Sequence, residues 1–548
     1  MIRVLYDILQ AASAAQPQKT AVFCKRDSMT YGEVDAAAQG VAGTLVRFGV
    51  RTGDRVCVYL EKGLEEVISF WGITLAGGVF VPIRPGLTTG QAAHILEDSG
   101  AAVLVTDPGR AEALSDQTPV FGRLSLLVCG GGPDLCAQLK GHCGGLSSWS
   151  EAVSGRDSET GSYSRVIDTD LATILYTSGS TGKPKGVVLS HLNVVEGSKR
   201  VSEYLAITED DRLLSILSFG FDYGLNQLTT AFLHRAQIVL FNPVFPKHII
   251  DISHRMDVTG IAAVSTTWMQ LLQAPWDQSQ LPRLRYITNS GGAIPREGVL
   301  ELRRRLPRTS IFLMYGLTEA FRSTYLDPGL VEQYPTSIGR AIPGEEILVL
   351  DESGRPVQEG EVGELVHRGV LVAQGYWNAP ELTAARFRPD PLLPSGHPHP
   401  PRVVYSGDQV RVGEAGLLFF AGRKDELIKC AGNRISPAEV EEIVHASGLV
   451  DFAVAFGEPH PVFGHRVGVV AVPRDPLAFD PEALLTHCRS NMPSYMVPGT
   501  ILVRESLPKN SNGKLDRARI KAEALASLAG SASVQEEAGR NTPTQTTR

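Results

Sequence analysis

ILYTSGSTGKPKGVVLSH, residues 174–191, decides how this chain is read. An apolar run, Ile174 to Tyr176, enters a loop of three glycines, four hydroxyls and two lysines, and a second apolar run leaves it. Apolar runs bounding such a loop predict strand, turn and strand, and the loop has the composition of a concave anion site. Gly179, Gly182 and Gly186 let the main chain approach phosphate oxygens closely. Thr177, Ser178, Ser180 and Thr181 supply hydroxyl donors, and Lys183 and Lys185 offset phosphate charge. A Walker loop needs four residues between its glycine and the GK pair, whereas Gly179 and Gly182 are separated by two, so a kinase-like or GTPase reading loses support.

Working outward, residues 1–125 alternate amphipathic helices (VDAAAQGVAGTLVRFGV, EEVISFWGITLAGG) with strand-like runs (RVCVYL, AAVLVT), the rhythm of an α/β domain. Gly and Ser crowd residues 128–165, which predicts a surface excursion. PDPLLPSGHPHPPR, residues 389–402, predicts an exposed loop because repeated Pro removes backbone donors. Beyond it, GRKDELIK reads as a polar joint and ISPAEVEEIVHAS as a helix capped by Ser436 with Pro437 at its first position. The fold class is therefore α/β: a large N-terminal domain, 1–424, with mixed sheets and flanking helices, and a small α+β domain, 425–526. Residues 527–548 are small, polar and aperiodic, which predicts a disordered tail.

Composition excludes several classes. Of 548 residues 43% are hydrophobic, ample for large cores. A formal charge of −7 without a dense basic stretch argues against nucleic acid. No apolar run reaches the ~20 residues of a membrane span, so a cytoplasmic location is expected. Seven cysteines, sparse and odd in number, predict reduced thiols; Cys129, Cys136 and Cys143 are spaced too widely for a zinc site.

TSGSTGKPKG resembles the phosphate loop of the adenylate-forming superfamily, which includes acyl-CoA synthetases, nonribosomal peptide adenylation domains and luciferases. Later segments fit the same family in the same order, roughly Leu5 to Ala522. In FLMYGLTEA, the resemblance implies that Tyr315 and Gly316 border adenine, Thr318 contacts the α-phosphate and Glu319 ligates Mg²⁺. NSGGA implies that Asn289, Gly291, Gly292 and Ala293 line the adenine and acyl sites. YSGDQVR offers Asp408 to the ribose hydroxyls, and GRKDELIKCAGNRISPAEVE offers Arg423 to ribose or phosphate, Asp425 as the hinge and Gly432 as the wall of the thiol channel. In LPKNSNGKLDR, Lys514 stands at the family's catalytic lysine.

The implied function is an AMP-forming acid–thiol ligase: a carboxylic acid reacts with ATP and Mg²⁺ to give an acyl-adenylate, and the thiol of CoA or of a carrier-protein phosphopantetheine then takes the acyl group. Two anionic reactants need local positive charge, which Lys514 would supply. LSFGFDYGLNQL aligns with one wall of the acyl pocket. Phe221 and Asp222 match the amino-acid-activating members, in which the Asp pairs with the substrate ammonium; the alternative is that Asp222 bonds backbone amides or Asn226. Thr267 and Trp268 would also border the pocket. FDYGLNQLTTAFL, YGLTEAFRSTYL and LVHRGVLVAQGYWN look like the acyl-CoA ligases associated with exosortase A gene clusters. Competing readings are a fatty or aryl acyl-CoA synthetase without amine recognition, a luciferase-like oxidase and a noncatalytic adenylate-binding protein.

Overall fold

The computed structural model describes residues 2–130, 143–154, 166–178, 184–394, 396–424, 426–430, 433–460 and 464–540. Two sheets build the large domain. In one, Ser310–Tyr315, Tyr286–Asn289, Gly260–Ala263, Arg212–Ser215, Gln237–Leu240 and Thr20–Cys24 lie side by side in that order, all parallel. In the other, Leu171–Ser178 joins a parallel set formed by Arg55–Tyr59, Val79–Pro82, Val103–Thr106, Ser125–Val128 and Gly145–Ser148, while Pro184–Ser190 returns antiparallel to it. Part of the Gly/Ser-rich excursion is thus an edge strand rather than surface loop. The apolar neighbour Ser125–Val128, with Leu126, Leu127 and Val128 buried, gives Gly145–Ser148 a template to pair with.

Helices fill the space between the sheets. Thr30 and Ser190 open Tyr31–Arg47 and His191–Leu205 with reciprocal capping bonds to Glu33 and Asn193, which satisfies the first backbone donors. Leu64–Leu75 and Asp222–Leu233 are buried nearly all round, and the second buries Asp222, Asn226, Gln227, Thr229 and Thr230 among its apolar residues. The Trp71 and Phe232 rings meet at 5.0 Å, the Tyr31 and Phe232 rings at 5.1 Å edge to face, and these aromatics knit the central core.

The small domain has its own core. Clustering passes from Leu418 and Phe419, which pack with the large domain, to Ile428, which packs with Val440, Val444 and Val469. Ser436 caps Pro437–Ala446 and Pro437 is its first residue, as the sequence indicates. The Pro-rich segment joins the arms of a hairpin, Phe387–Pro389 against the start of Arg402–Val412, and is largely exposed. One expectation needs correction: the terminal helix Arg517–Arg540 runs on through residues assigned to a disordered tail. Ala, Leu, Gln and Glu there have high intrinsic helix propensity, which does not require apolar periodicity.

The loop before Asp222–Leu233 lies so close to the helix that a Cβ at Gly224 would stand 2.2 Å from the Ser218 carbonyl oxygen. Gly224→Ala should therefore cost roughly 1–3 kcal/mol through backbone displacement, read as a lower urea midpoint. Gly90→Ala, where a Cβ meets nothing within 4 Å, should leave that midpoint nearly unchanged.

Candidate active site

Parallel pairing of Tyr286–Asn289 with Ser310–Tyr315 sets Asn289 opposite Leu313, so both strands release their following loops on one side of the sheet. Open α/β sheets bind ligands at the carboxyl ends of their strands. Asn289–Ala293 and Tyr315–Glu319 thus emerge together, and three groups of side chains converge there.

The first is Tyr315, Asp408 and Arg423. The Tyr315 hydroxyl donates to Asp408 Oδ2, and Arg423, paired with Asp408 across adjacent strands, brings its Nε within 3.7 Å of Oδ1. Burial, with Asp408 adding to it, pushes the Tyr315 phenol well above its ordinary value, so it stays a donor at all accessible pH.

The second is Glu319. Its Oε1 accepts a 2.6 Å bond from the Tyr376 hydroxyl and lies 3.7 Å from Lys185 Nζ, which is itself 3.2 Å from that hydroxyl. Tyr376 was not singled out from sequence, although it lies in the quoted QGYWN stretch. Tyr376 and Lys185 both engage Oε1, and the Glu319 carboxylate is the kind of donor that would hold Mg²⁺. The Thr177 hydroxyl oxygen is buried and has no hydrogen-bond partner among the described residues.

The third is Lys514. Asn510 Oδ1 accepts from the backbone N–H groups of Asn512 and Lys514, 2.9 and 3.1 Å, and Gly513 takes φ +75°, which turns the chain back into the large domain. Three contacts hold this turn: Arg84 donates to Asn512 Oδ1, Thr266 Oγ1 donates to the Gly513 carbonyl at 2.5 Å, and the Lys514 stem lies on Gly291. A Cβ at Gly291 would sit 2.6 Å from Lys514 Nζ, so only glycine leaves room, and the position also has φ +82°. The ammonium rests 4.7 Å from the centre of the Phe221 ring. Burial lowers the Lys514 pKa, Asp222 opposes that shift, and Arg84 and Arg322 reinforce it.

Arg84 is a cation that sequence reasoning passed over. It is buried, packs on Gly220, donates to the Tyr176 carbonyl at 3.3 Å, and has no carboxylate within ion-pair reach among the described residues. Burial pulls its pKa to about 10, which leaves it charged at neutral pH.

Asp222 corrects the reading of the acyl pocket. Its Oδ2 is ion-paired with Arg322 and its Oδ1 accepts from Thr318 Oγ1 at 3.0 Å; both charged groups are almost wholly buried. Its side-chain partners are thus Arg322 and Thr318 rather than a backbone amide or Asn226, and Arg322 offsets its charge. Thr318 has one hydroxyl proton and gives it to Asp222. Arg322 stood in the quoted YGLTEAFRSTYL, but an Arg after Phe carries no sign of burial. Trp268 is buried and donates from its indole to the Thr288 carbonyl at 3.1 Å, an anchor beneath the strand, while Thr267 is half-buried. Gly316 is half-buried, and Gly292 and Ala293 are exposed. Gly179, Ser180, Thr181, Gly182, Lys183, Asp425 and Gly432 lie outside the described residues; Ser178 ends its strand opposite Pro184.

The model of the AMP-binding enzyme family matches residues 9–377, more than half of the chain, and that of the AMP-binding enzyme C-terminal domain matches residues 439–514. The chain belongs to the AMP-binding enzyme family, the adenylate-forming class its motifs resemble. It is 32% identical to malpibaldin synthetase of Mortierella alpina over 94% of its own length but spans only 9% of that protein. It spans 8% of tyrocidine synthase 3 of Brevibacillus parabrevis, so these relatives are far longer than the chain itself. It is 29% identical to an L-proline–[L-prolyl-carrier protein] ligase of Streptomyces coelicolor, covering 93% of this chain and 94% of the relative. ATP-bound MatB from Rhodopseudomonas palustris superposes with TM-score 0.83 at 25% identity, over 95% of this chain and 99% of its own. An anthranilate CoA ligase holding anthranoyl-AMP superposes with TM-score 0.85 at 25% identity, over 96% and 98%. No helix among the described residues is long and apolar enough to cross a membrane.

If Asp408 receives the ribose, Asp408→Ala should weaken AMP binding about tenfold or more, the scale of hydrogen bonds to a charged group. Isothermal titration reads this directly, and an unchanged Kd would remove Asp408 from the nucleotide site.

Proposed function

We propose that this protein is an acid–thiol ligase working in two half-reactions. In the first, a carboxylate oxygen attacks the α-phosphorus of ATP, the bond to the β-phosphate oxygen breaks, and acyl-AMP and pyrophosphate form. In the second, the sulfur of CoA or of a carrier-protein phosphopantetheine attacks the acyl carbon. The carbon–oxygen bond to AMP breaks, and the thiol proton passes to solvent.

The single observation that carries this reading is Lys514, delivered by the small domain onto Gly291 and beside Phe221. A cation fixed in a desolvated site acts on developing charge more strongly than one in water. Asp408, Arg423 and Tyr315 would orient the ribose, and Thr177 with the loop 179–183 would meet the phosphates. Glu319, positioned by Tyr376 and Lys185, would hold Mg²⁺, which when bound neutralises charge on the phosphates.

No protein nucleophile is needed. The same lysine that promotes adenylation would block approach of a thiol, so the small domain must withdraw it, turning about Asp425 and bringing Gly432 to the thiol's path. The amine-bearing acid suggested by Phe221 and Asp222 loses its argument once the Asp222 carboxylate is spent on Arg322 and Thr318.

Lys514→Ala should lower acid-dependent ATP–pyrophosphate exchange at least a hundredfold while leaving thioester formation from presynthesised acyl-AMP within a few-fold, both followed with radiolabel. Equal loss of both half-reactions would contradict the division of labour.

A further inference from the structure

Resting on the ligase reading, we propose that Arg386 is a further nucleotide-binding residue, whose guanidinium grips the β- and γ-phosphates of ATP and so the pyrophosphate that leaves. It lies in none of the sequence motifs, and its place follows from what packs around it.

Arg386 ends the helix Pro380–Arg386, which is tied to Tyr376. The Thr383 hydroxyl oxygen accepts from the Tyr376 N–H at 2.9 Å, and Phe387 sets its ring edge-on to the Tyr376 ring, 5.5 Å between centres. The Tyr376 hydroxyl in turn holds Glu319 and meets Lys185, which stands opposite Thr177 in the paired strands Leu171–Ser178 and Pro184–Ser190. On its other side the guanidinium lies on Gly407, where a Cβ would stand 2.4 Å from Arg386 Nη1. Asp408, the expected ribose receptor, is the next residue. Arg386 therefore stands between that carboxylate and the one expected to hold Mg²⁺.

Most of its donors are uncommitted. Nη1 donates to the Tyr405 carbonyl at 3.2 Å, while among the described residues Nε and Nη2 have no acceptor and no carboxylate lies within ion-pair reach. Glu364, which accepts from the Gly407 N–H, faces Lys424 Nζ at 3.5 Å instead. The Arg386 side chain is half-buried, so part of it remains accessible to a ligand. A planar guanidinium with two nitrogens to spare is the fork that matches a pair of phosphate oxygens.

Its neighbours put it at the leaving end of the triphosphate. The charges that weigh most on Lys185 are Glu319, Arg386 and Arg423, whereas those that weigh most on Lys514 are Asp222, Arg84, Arg322 and Asp408. The two lysines thus belong to separate groups of cations, and Arg386 goes with the one around Glu319. Burial lowers the Lys185 pKa, Glu319 opposes that shift, and Arg386 and Arg423 reinforce it. Lys185, Arg386 and Arg423 together outnumber Glu319 and Asp408, an imbalance that a polyanion relieves. As the carboxylate oxygen bonds to the α-phosphorus, the bond to the bridging oxygen breaks and its electron pair stays with the β-phosphate. Arg386 would meet the charge that develops there, while Lys514 serves the α-phosphorus.

The test is isothermal titration of the full chain with ATP and with AMP, both with magnesium and without a carboxylic-acid substrate. Arg386→Gln should weaken ATP about tenfold or more, as charge-assisted bonds to phosphate predict, and leave AMP within about twofold. Retained AMP affinity also reports a folded site. Arg386→Lys keeps the charge and should recover ATP binding to within a few-fold; a loss as deep as that of the glutamine variant would overturn the inference. In acid-dependent ATP–pyrophosphate exchange the glutamine variant should raise the KM of ATP and of pyrophosphate together. Unchanged ATP affinity, or an equal loss for AMP, overturns the role of Arg386 and leaves the ligase standing. A wild-type chain that binds neither nucleotide overturns the ligase reading and this inference with it.

Discussion

Bringing two anions into bonding distance is the constraint on which this molecule is built. A carboxylate and a triphosphate repel each other, and a site dry enough to favour attack makes that repulsion worse. A fixed cation answers the problem, and here it comes from residue 514 of a chain whose phosphate loop begins near residue 177. Much of the architecture serves that meeting: the sheet sets Gly291 at a strand end, the Asn510–Lys514 turn aims the side chain, and Arg84 and Thr266 hold the turn in place.

Burying Lys514 has an electrostatic cost, since two further cations, Arg84 and Arg322, lie close enough to disfavour its charge. Asp222 is the counterweight. Its carboxylate neutralises Arg322 and is the leading influence that favours a charged Lys514. Asp222 therefore has an internal electrostatic role, while Arg84 donates to the Tyr176 carbonyl in the strand that leads to residue 178.

What could be read from the sequence follows from how local each signal is. The strand–loop–strand at 174–191, the Ser436 cap and the Tyr-Gly turn at 315–316 are set by neighbours along the chain, and residue types alone announce them. Asp408 with Tyr315, and Lys514 with Gly291, are separated by about a hundred residues or more, so only resemblance to a family could pair them. Arg84, Arg322 and Tyr376 escaped notice because an arginine or tyrosine in a mixed segment looks the same whether solvated or buried. Burial is a property of the packed fold, not of the local pattern. The terminal helix escaped for the opposite reason. Its helix propensity is local, but the argument against it rested on missing periodicity, which reports burial rather than backbone conformation.

The internal pairing of Asp222 also constrains how this pocket differs from those of its relatives. A buried carboxylate without a partner is costly, so its partner is settled before any substrate arrives: protein cation or ligand cation, but not both at full strength. With Arg322 as that cation, Asp222 belongs to an ion pair whose two ends are almost entirely desolvated, and a ligand cation there would compete with it.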